Sequence, residues 1–146
     1  TPLYSSAASD VYKRQGEDGF VKTFYSSLQG NHEDILRIGG DPEKFTVARD
    51  RLADYRKLRI KKGMKSFILV PDGPMVESEK MDAIGKSREV RSLPKNIYNP
   101  EVQASIFGDT VSFTIWDSGL HSIIIKNSKI ASLLDSLYRI AWKEAD

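Results

Sequence analysis

The feature that most constrains the fold is a run of alternating apolar and polar residues near the end of the chain, VQASIFGDTVSFTIWDSGLHSIIIKN (residues 102–127). Two turn signals, Gly108-Asp109 and Asp117-Ser118-Gly119, divide the run into three segments. The pattern therefore predicts a three-stranded antiparallel meander. The residues expected to share a face within the first strand and within the second are Val102, Ala104 and Ile106, and Val111, Phe113 and Ile115.

The segment after the meander, NSKIASLLDSLYRIAWKEA (residues 127–145), has the apolar spacing of a helix. Asn127 or Ser128 can cap its first turn, and we expect Trp142 to anchor its end. The buried stripe that we predict for this helix consists of Ile130, Leu133, Leu134, Leu137 and Ala141.

Upstream of the meander, helical and strand-like patterns alternate. A helix is predicted between Asp18, as its cap, and Gly30, and a short strand at EDILRIGG (residues 33–40). A second helix is predicted over residues 43–63, on a stripe made of Phe45, Ala48, Leu52 and Tyr55, ending at Gly63. KSFILVPDGP (residues 65–74) predicts a buried central strand, residues 75–87 a weak helical segment, and REVRSLPK (residues 88–95) a further strand. The order indicates an α/β (α+β) fold, a mixed sheet with helices packed on it.

The first fifteen residues do not resemble part of a fold. Back-translation of SSAASDVYKRQ (residues 5–15) fits the transposase adapter of short-read sequencing libraries, and TPLY before it fits a primer end in the same frame. We therefore interpret residues 1–15 as a translated adapter, expected to be disordered, and residues 16–146 as a single domain. On this interpretation the natural frame begins before Gly16, and N-terminal protein is missing.

Composition excludes several chemistries. The chain has no cysteine, so disulfides, thiolate catalysis and cysteine metal sites are ruled out. Its two histidines, His32 and His121, are far apart, so we expect no metal site and no cofactor. The net charge of +2 does not indicate nucleic acid or an anionic membrane, and no apolar run reaches the roughly 20 residues of a membrane helix. We expect a cytoplasmic protein with no membrane partner.

Catalytic motifs such as GxSxG, GxxxxGK[ST], HExxH and GxGxxG are absent, so no catalytic residue is assigned. We interpret His121 as a surface residue and Trp116 as a packing residue. The basic stretch Arg49–Lys65 is a solvated helix face or a surface for phosphate or a partner. Ligands of open α/β sheets bind at strand ends. The candidate ligand-binding residues at those ends are Gly39, Gly40, Asp41, Asp72 and Lys95.

The stretch from Asn96 to Trp142 resembles the C-terminal half of the TrmB-like family of transcriptional regulators. Upstream, RIKKGMKSFILVPD and REVRSLPK are similar to the family's basic helix end, its central strand and its REVRFLP segment. The resemblance implies a phospholipase-D-like fold, and it implies a winged helix-turn-helix and a dimerising helix before this region. The matching pieces are Ile106-Phe107-Gly108-Asp109, Val111 to Trp116, Ile123 to Lys126, and Ala141-Trp142.

Active phospholipase-D-like enzymes carry HxKxxxxD, in which the histidine is the nucleophile and the lysine holds phosphate. This chain has Glu101-Val102-Gln103 in the corresponding segment, and without an imidazole there is no phosphohistidine intermediate. The resemblance therefore implies a non-catalytic regulatory domain, which senses a small-molecule effector or forms a homodimer and reaches DNA only through the missing N-terminal part. Two alternatives remain open. One is a degenerate phospholipase-D-like phosphodiesterase, and the other is a pure homodimer assembly module that uses the Leu133/Leu137 helix or a sheet edge.

Overall fold

The computed structural model of the chain describes residues 10–31, 34–40 and 49–146. Its helices are α1 (Gly16–Ser26), α2 (Tyr55–Lys61), α3 (Val76–Ala83) and α4 (Ser128–Glu144), and a short 3₁₀ helix covers Arg49–Leu52. The strands are β1 (Asp10–Gln15), β2 (Asp34–Ile38), β3 (Lys65–Pro71), β4 (Arg88–Leu93), β5 (Val102–Phe107), β6 (Thr110–Trp116) and β7 (Leu120–Lys126).

The seven strands form one mixed sheet in the order β1-β7-β6-β5-β2-β3-β4. Strands β2, β3 and β4 are parallel to one another, and β5, β6 and β7 form an antiparallel meander that joins β2 through β5. This arrangement confirms the predicted fold class, a mixed sheet with helices packed on it. In the register of β5 and β6, Ala104 lies opposite Phe113 and Ile106 opposite Val111, so the two predicted apolar sets share one face of the sheet.

Helix α4 covers this apolar face. Its first turn is capped as predicted, because the Asn127 side chain accepts hydrogen bonds from the backbone N–H groups of Lys129 (3.0 Å) and Ile130 (3.1 Å). Burial of apolar area drives the contact between the helix and the sheet. The buried core on this side consists of Leu36, Leu69, Leu93, Ile106, Val111, Ala131 and Tyr138.

Trp142 anchors the end of α4, as expected. Its ring packs edge-on against the Phe67 ring, with the two ring centres 5.4 Å apart. The Arg91 guanidinium lies over the Trp142 ring, 4.7 Å from its centre. Arg91 also donates a hydrogen bond from Nη1 to the Trp142 carbonyl at 2.8 Å. These contacts to β3 and β4 determine how α4 is rotated on the sheet.

The predicted buried stripe of this helix was wrong in part. Ile130, Leu133 and Leu137 are 40%, 60% and 53% exposed, whereas Ala131 and Tyr138 are buried. The apolar residues of α4 cover more of its circumference than the sheet can contact, and the Trp142 and Tyr138 contacts turn the other half toward solvent. Spacing along the sequence identifies an apolar face, but it does not say which part of a wide face meets the sheet.

The other three helices lie on the opposite face. Tyr55 of α2 packs with Leu28, Ile35 and Phe107 in a second apolar cluster. The buried Arg59 guanidinium donates to the backbone carbonyls of Met64 (2.9 Å), Lys86 (2.8 Å) and Ser87 (2.6 Å), which ties α2 to the starts of β3 and β4. Burial lowers the pKa of Arg59.

Of the helix ends predicted from local signals, those at Gly63 and Asp18 have different outcomes. Gly63 has φ +74° just after α2, as predicted for a residue that ends a helix. Asp18 does not cap a helix, because α1 begins at Gly16, and the Asp18 carboxylate instead pairs with Arg51 at 2.6 Å. The first half of the predicted second helix, with Phe45 and Ala48, lies outside the described residues.

The expectation of disorder for residues 1–15 was wrong over Asp10–Gln15. These residues form β1, an edge strand paired antiparallel with β7 from Asp10 opposite Lys126 to Gln15 opposite His121. The free N–H and C=O groups of a sheet edge can pair with almost any extended segment, so a polar composition does not prevent pairing. The adapter origin of this stretch remains an interpretation, and residues 1–9 lie outside the described part of the chain.

We expect Tyr138→Phe to destabilise the protein and to weaken its sensitivity to alkaline pH. The buried Tyr138 hydroxyl lies 3.0 Å from the Arg37 carbonyl and 2.9 Å from that of Phe67, so the expected loss is about 1–2 kcal/mol. Burial raises the pKa of Tyr138, while an unfolded tyrosine ionises near pH 10. The contribution of Tyr138 is therefore complete below about pH 10 and falls as the pH rises further.

Urea unfolding on both sides of that pH measures the effect, and Tyr12→Phe, at an exposed edge position, is the matched control. If the free energy of unfolding depended on pH in the same way in wild type and Tyr138→Phe, the contribution assigned to the buried Tyr138 hydroxyl would be contradicted.

Candidate functional site

The candidate ligand-binding residues follow three adjacent parallel strands. Gly39 comes directly after β2, and its N–H donates to the Leu69 carbonyl at 2.8 Å. A Cβ at Gly39 would lie 3.1 Å from Val70 Cγ1 and 3.3 Å from the Leu69 carbonyl oxygen, so the chain passes close to β3 here. Gly40 is half-buried, and Asp41 lies outside the described residues.

Asp72 and Lys95 follow β3 and β4 at the same end of the sheet. The Asp72 N–H donates to the Leu93 carbonyl at 2.8 Å, and the Asp72 carboxylate accepts from the Gly73 N–H at 3.1 Å. Both side chains are exposed, and within the described ranges no hydrogen bond or ion pair joins them. The structure therefore brings Gly39, Asp72 and Lys95 to one edge of the sheet, and their binding of a ligand remains a prediction.

Close to these strand ends, the sheet carries six polar residues on the face that α1 covers. We call these six residues the buried polar layer. The register aligns Arg37 with Ser105 and Ser112 across β2, β5 and β6. It aligns a second row, from Gln103, across β5, β6 and β7. The residues of the layer are Arg37, Gln103, Ser105, Ser112, Thr114 and Ser122.

Arg37 is the centre of the layer, and it is only 4% exposed. Its guanidinium donates to Ser105 Oγ (2.5 Å), to Ser27 Oγ of the α1 C-cap (3.2 Å) and to the Tyr55 hydroxyl of α2. The guanidinium also lies 3.9 Å from the centre of the Phe24 ring. One side chain therefore connects two strands with two helices.

The polar partners of Arg37 are all neutral. In the part of the chain that the structure describes, no carboxylate lies within ion-pair distance of its guanidinium. Three hydroxyl oxygens and the face of an aromatic ring compensate the lost hydration of this cation. The arrangement can hold a charge, but it supplies no paired acid and base.

A cavity of about 10 Å³ lies between α1 and this layer, room for about one water molecule. Phe20, Thr23 and Phe24 line it from the helix side, and Gln103, Ser105, Ser112 and Thr114 from the sheet side. The Gln103 Oε1 atom is buried and accepts no hydrogen bond from the described residues. Among the described residues, it is the one fully buried side-chain oxygen or nitrogen without a hydrogen-bond partner.

A larger open groove of about 600 Å³ lies at the C-terminal end of α1. It is lined by the end of α1, the Gly108-Asp109 turn and the strand β1. None of the described candidates, Gly39, Gly40, Asp72 and Lys95, lines it, so the groove is separate from them.

The described histidine does not contribute to the polar layer. His121 lies on β7 next to Ser122, and alternation along the strand places it on the opposite face. Its ring Nε2 lies 2.9 Å from the Asp117 carbonyl, a local contact within the turn. The interpretation of His121 as a surface residue agrees with this position, and His32 lies outside the described residues.

The sequence interpretation missed the buried polar layer. In DILRI, Arg37 lies between Leu36 and Ile38, and alternation places it on the face away from them. Hydroxyl residues lie on the face of the meander strands opposite the apolar sets, at Ser105, at Ser112 and Thr114, and at Ser122. These small polar residues were the available signal, but nothing in them showed that helix α1 would bury that face.

Comparison with known proteins gives the class of fold. No protein-family model and no curated protein matches the chain. Among solved structures, TrmBL2, an archaeal chromatin protein described with a novel mode of DNA binding, superposes with a TM-score of 0.63 at 18% identity. That match covers 99% of this chain and 56% of TrmBL2, so the chain spans just over half the length of that protein.

Two further solved structures match this chain over almost their whole length. NucT from Helicobacter pylori matches with a TM-score of 0.66 at 12% identity, over 94% of this chain and 98% of NucT. Nuc from Salmonella typhimurium, a phospholipase D family member, matches with a TM-score of 0.67 at 13% identity, over 94% and 97%. The chain therefore has a phospholipase-D-like fold, as the sequence resemblance implied. Across the described residues, none of the helices has the length and apolar character to cross a bilayer.

We expect Gln103→Met and Ser105→Ala to change stability in opposite directions. Gln103→Met removes a buried acceptor without a partner, so the free energy of unfolding should stay level or rise by about 1 kcal/mol. Ser105→Ala removes an acceptor of the buried Arg37 guanidinium and should lower it by about 1–3 kcal/mol. Chemical denaturation of both variants beside Ser132→Ala, an exposed serine on α4, checks this. A loss on Gln103→Met as large as that on Ser105→Ala would contradict the role given to Gln103.

Proposed function

We propose that this chain is the regulatory domain of a TrmB-like transcriptional regulator, and that it senses an effector or assembles copies of the protein without catalysing a reaction. The observation that carries the proposal is the superposition on TrmBL2 over 99% of this chain, together with the TrmB-like sequence pieces around Ile106–Asp109 and Trp142. In this proposal the DNA-reading part lies outside these residues, and the protein acts in the cytoplasm.

The proposed lack of phosphodiesterase activity is supported by the residues in and just before strand β5. The segment that carries HxK in active phospholipase-D-like enzymes has Glu101 and Gln103 here. Neither side chain can form a phosphohistidine or hold a phosphate as a cation. His121, on the other face of the sheet, does not replace the missing nucleophile.

The strand ends are where we place the effector. Gly39 and Gly40 have no side chain to fill the end of β2, and the exposed Asp72 and Lys95 offer one charge of each sign. Binding there would favour one arrangement of the domain over another and so reposition the DNA-reading part, as a population shift. Since Arg37 lies two residues before Gly39 and contacts α1 and α2, a change at this edge has a direct route to the helices.

A pure assembly module is the second candidate. Four exposed apolar side chains on the outer face of α4 favour it, and this role is compatible with effector binding at the opposite face and edge.

We expect no hydrolysis of bis(p-nitrophenyl) phosphate or of single- and double-stranded DNA above the buffer rate. Phosphoryl transfer through this fold needs a nucleophilic imidazole, which strand β5 lacks. Glu101→His/Gln103→Lys is the matched variant, since it installs the HxK part of the motif at the same positions. Turnover by the unmodified chain that Gln103→Ala abolishes would overturn the non-catalytic assignment.

For the effector, thermal unfolding should be followed with inorganic phosphate, neutral sugars, sugar phosphates and nucleoside monophosphates. A ligand present at about 100 times its Kd stabilises the folded state by about 2.7 kcal/mol. We expect the shift in Tm to disappear in Asp72→Asn and Lys95→Gln and to persist in Lys143→Gln, an exposed cation on α4. A shift that persists in all three variants would place the ligand elsewhere, and no shift with any compound would argue against a sensor.

A further inference from the structure

Helix α4 has more apolar surface than the sheet uses. At 100° per residue, the apolar positions from Ile140 around to Trp142 span about 200° of the helix, twice the width that a helix on one core requires. The half on the side of Ala131 and Tyr138 is buried. The outer half holds four exposed side chains, which we call the outer seam: Ile130 (40% exposed), Leu133 (60%), Leu137 (53%) and Ile140 (63%).

The outer seam has the spacing of a helix-pairing surface. Its steps of three, four and three residues are those of the a and d positions of a heptad, which interlock with a second helix. The order Ile, Leu, Leu, Ile with these steps is also the same in both directions along the helix. A twofold axis at right angles to α4 would therefore set Ile130 against Ile140 of the second copy, and Leu133 against Leu137.

We propose that the outer seam pairs antiparallel with the outer seam of a second copy of this chain. A surface that is its own complement under twofold rotation is what an isologous dimer requires.

The charges around the seam select the antiparallel direction. Glu144 continues the seam by one step after Ile140, and a parallel pair would face it against Glu144 of the second copy. In the antiparallel pair, Glu144 instead lies near Lys129 of the second copy, at the positive N-terminal end of that helix. Arg139 is already paired with Asp135 at 2.7 Å and with Asp34 at 3.7 Å, so the association need not break or bury these charges.

The size of the seam sets the strength of the association. The four side chains expose roughly 400 Å² of apolar surface, about half of the ~800 Å² that a standard interface takes from each partner. We therefore expect a dimer that dissociates on dilution. The pairing does not depend on effector binding, so its test is separate from those of the proposed function.

Sedimentation equilibrium of the 146-residue chain over a dilution series measures the association. We expect a monomer–dimer equilibrium, and a loss of association of more than about 100-fold in Leu133→Gln/Leu137→Gln, because four leucine side chains per dimer lose their contact. The matched control is Met81→Gln/Ile84→Gln, which removes two apolar side chains in and just after α3 that are even more exposed, and it should leave association unchanged. Because all four positions are exposed, the unfolding midpoint of the monomer should hold in both variants, which excludes misfolding as the cause.

Cysteine cross-linking gives the direction without background, because the chain has no cysteine of its own. Leu133→Cys and Leu137→Cys should each stay uncross-linked alone and form a disulfide only when the two variants are mixed. Ile84→Cys, mixed with either, should not cross-link.

Three results would overturn the proposal. If the chain stayed monomeric at every concentration, the outer seam would instead contact a different protein or another part of its own chain. A dimer that survives Leu133→Gln/Leu137→Gln would use another surface. Efficient cross-linking of each single-cysteine variant with itself would show a parallel pair.

Discussion

The contacts of the buried Arg37 guanidinium are the interactions on which the α1 and α2 side of this fold depends. A cation taken from water loses several kcal/mol of hydration unless polar groups replace the solvent. Here Ser105 of β5, Ser27 after α1 and Tyr55 of α2 provide those groups, and the Phe24 ring covers the planar face. Both helices must therefore hold their positions on the sheet for this charge to be satisfied. The partial separation of the apolar clusters on this side follows from the polar layer between them.

The two faces of the sheet hold their helices by different kinds of interaction. The face under α4 is a continuous apolar core, in which packing and the few hydrogen bonds at Tyr138 and Trp142 position the helix. The face under α1 is held by directed hydrogen bonds in a low-dielectric setting, which are specific in geometry and costly when one partner is lost. In a domain that responds to a ligand, the polar face is the side that can couple a change at the strand ends to the helices. The α4 face, with apolar surface to spare, is the side suited to assembly. The phospholipase-D-like fold thus has a candidate sensing site at the strand ends and a candidate assembly surface, the outer seam, on α4.

Local patterns predicted most of the elements. The meander, its two turns, the Asn127 cap and the strands of residues 34–38, 65–71 and 88–93 are set by alternation, turn residues and capping groups that act within a few positions. The errors have a common cause. Asp18 was taken for a cap because the strand before α1 was not expected, and β1 was missed because edge pairing uses the backbone rather than the side chains. At the candidate site, the sequence located the strand ends that carry Gly39, Asp72 and Lys95, but not the polar layer behind them.

Neighbouring residues alone specify the class of sheet, the order of the elements from α1 onward, the apolar faces of the strands and the lack of a histidine in strand β5. Long-range packing, in contrast, buries Arg37, turns Gln103 toward a small polar cavity and leaves Leu133 and Leu137 of α4 facing solvent. These facts depend on which helix covers which face and at what rotation. That choice is made by contacts between residues far apart in the chain, such as Tyr138 with the Arg37 carbonyl and Trp142 with Phe67, which no local pattern records.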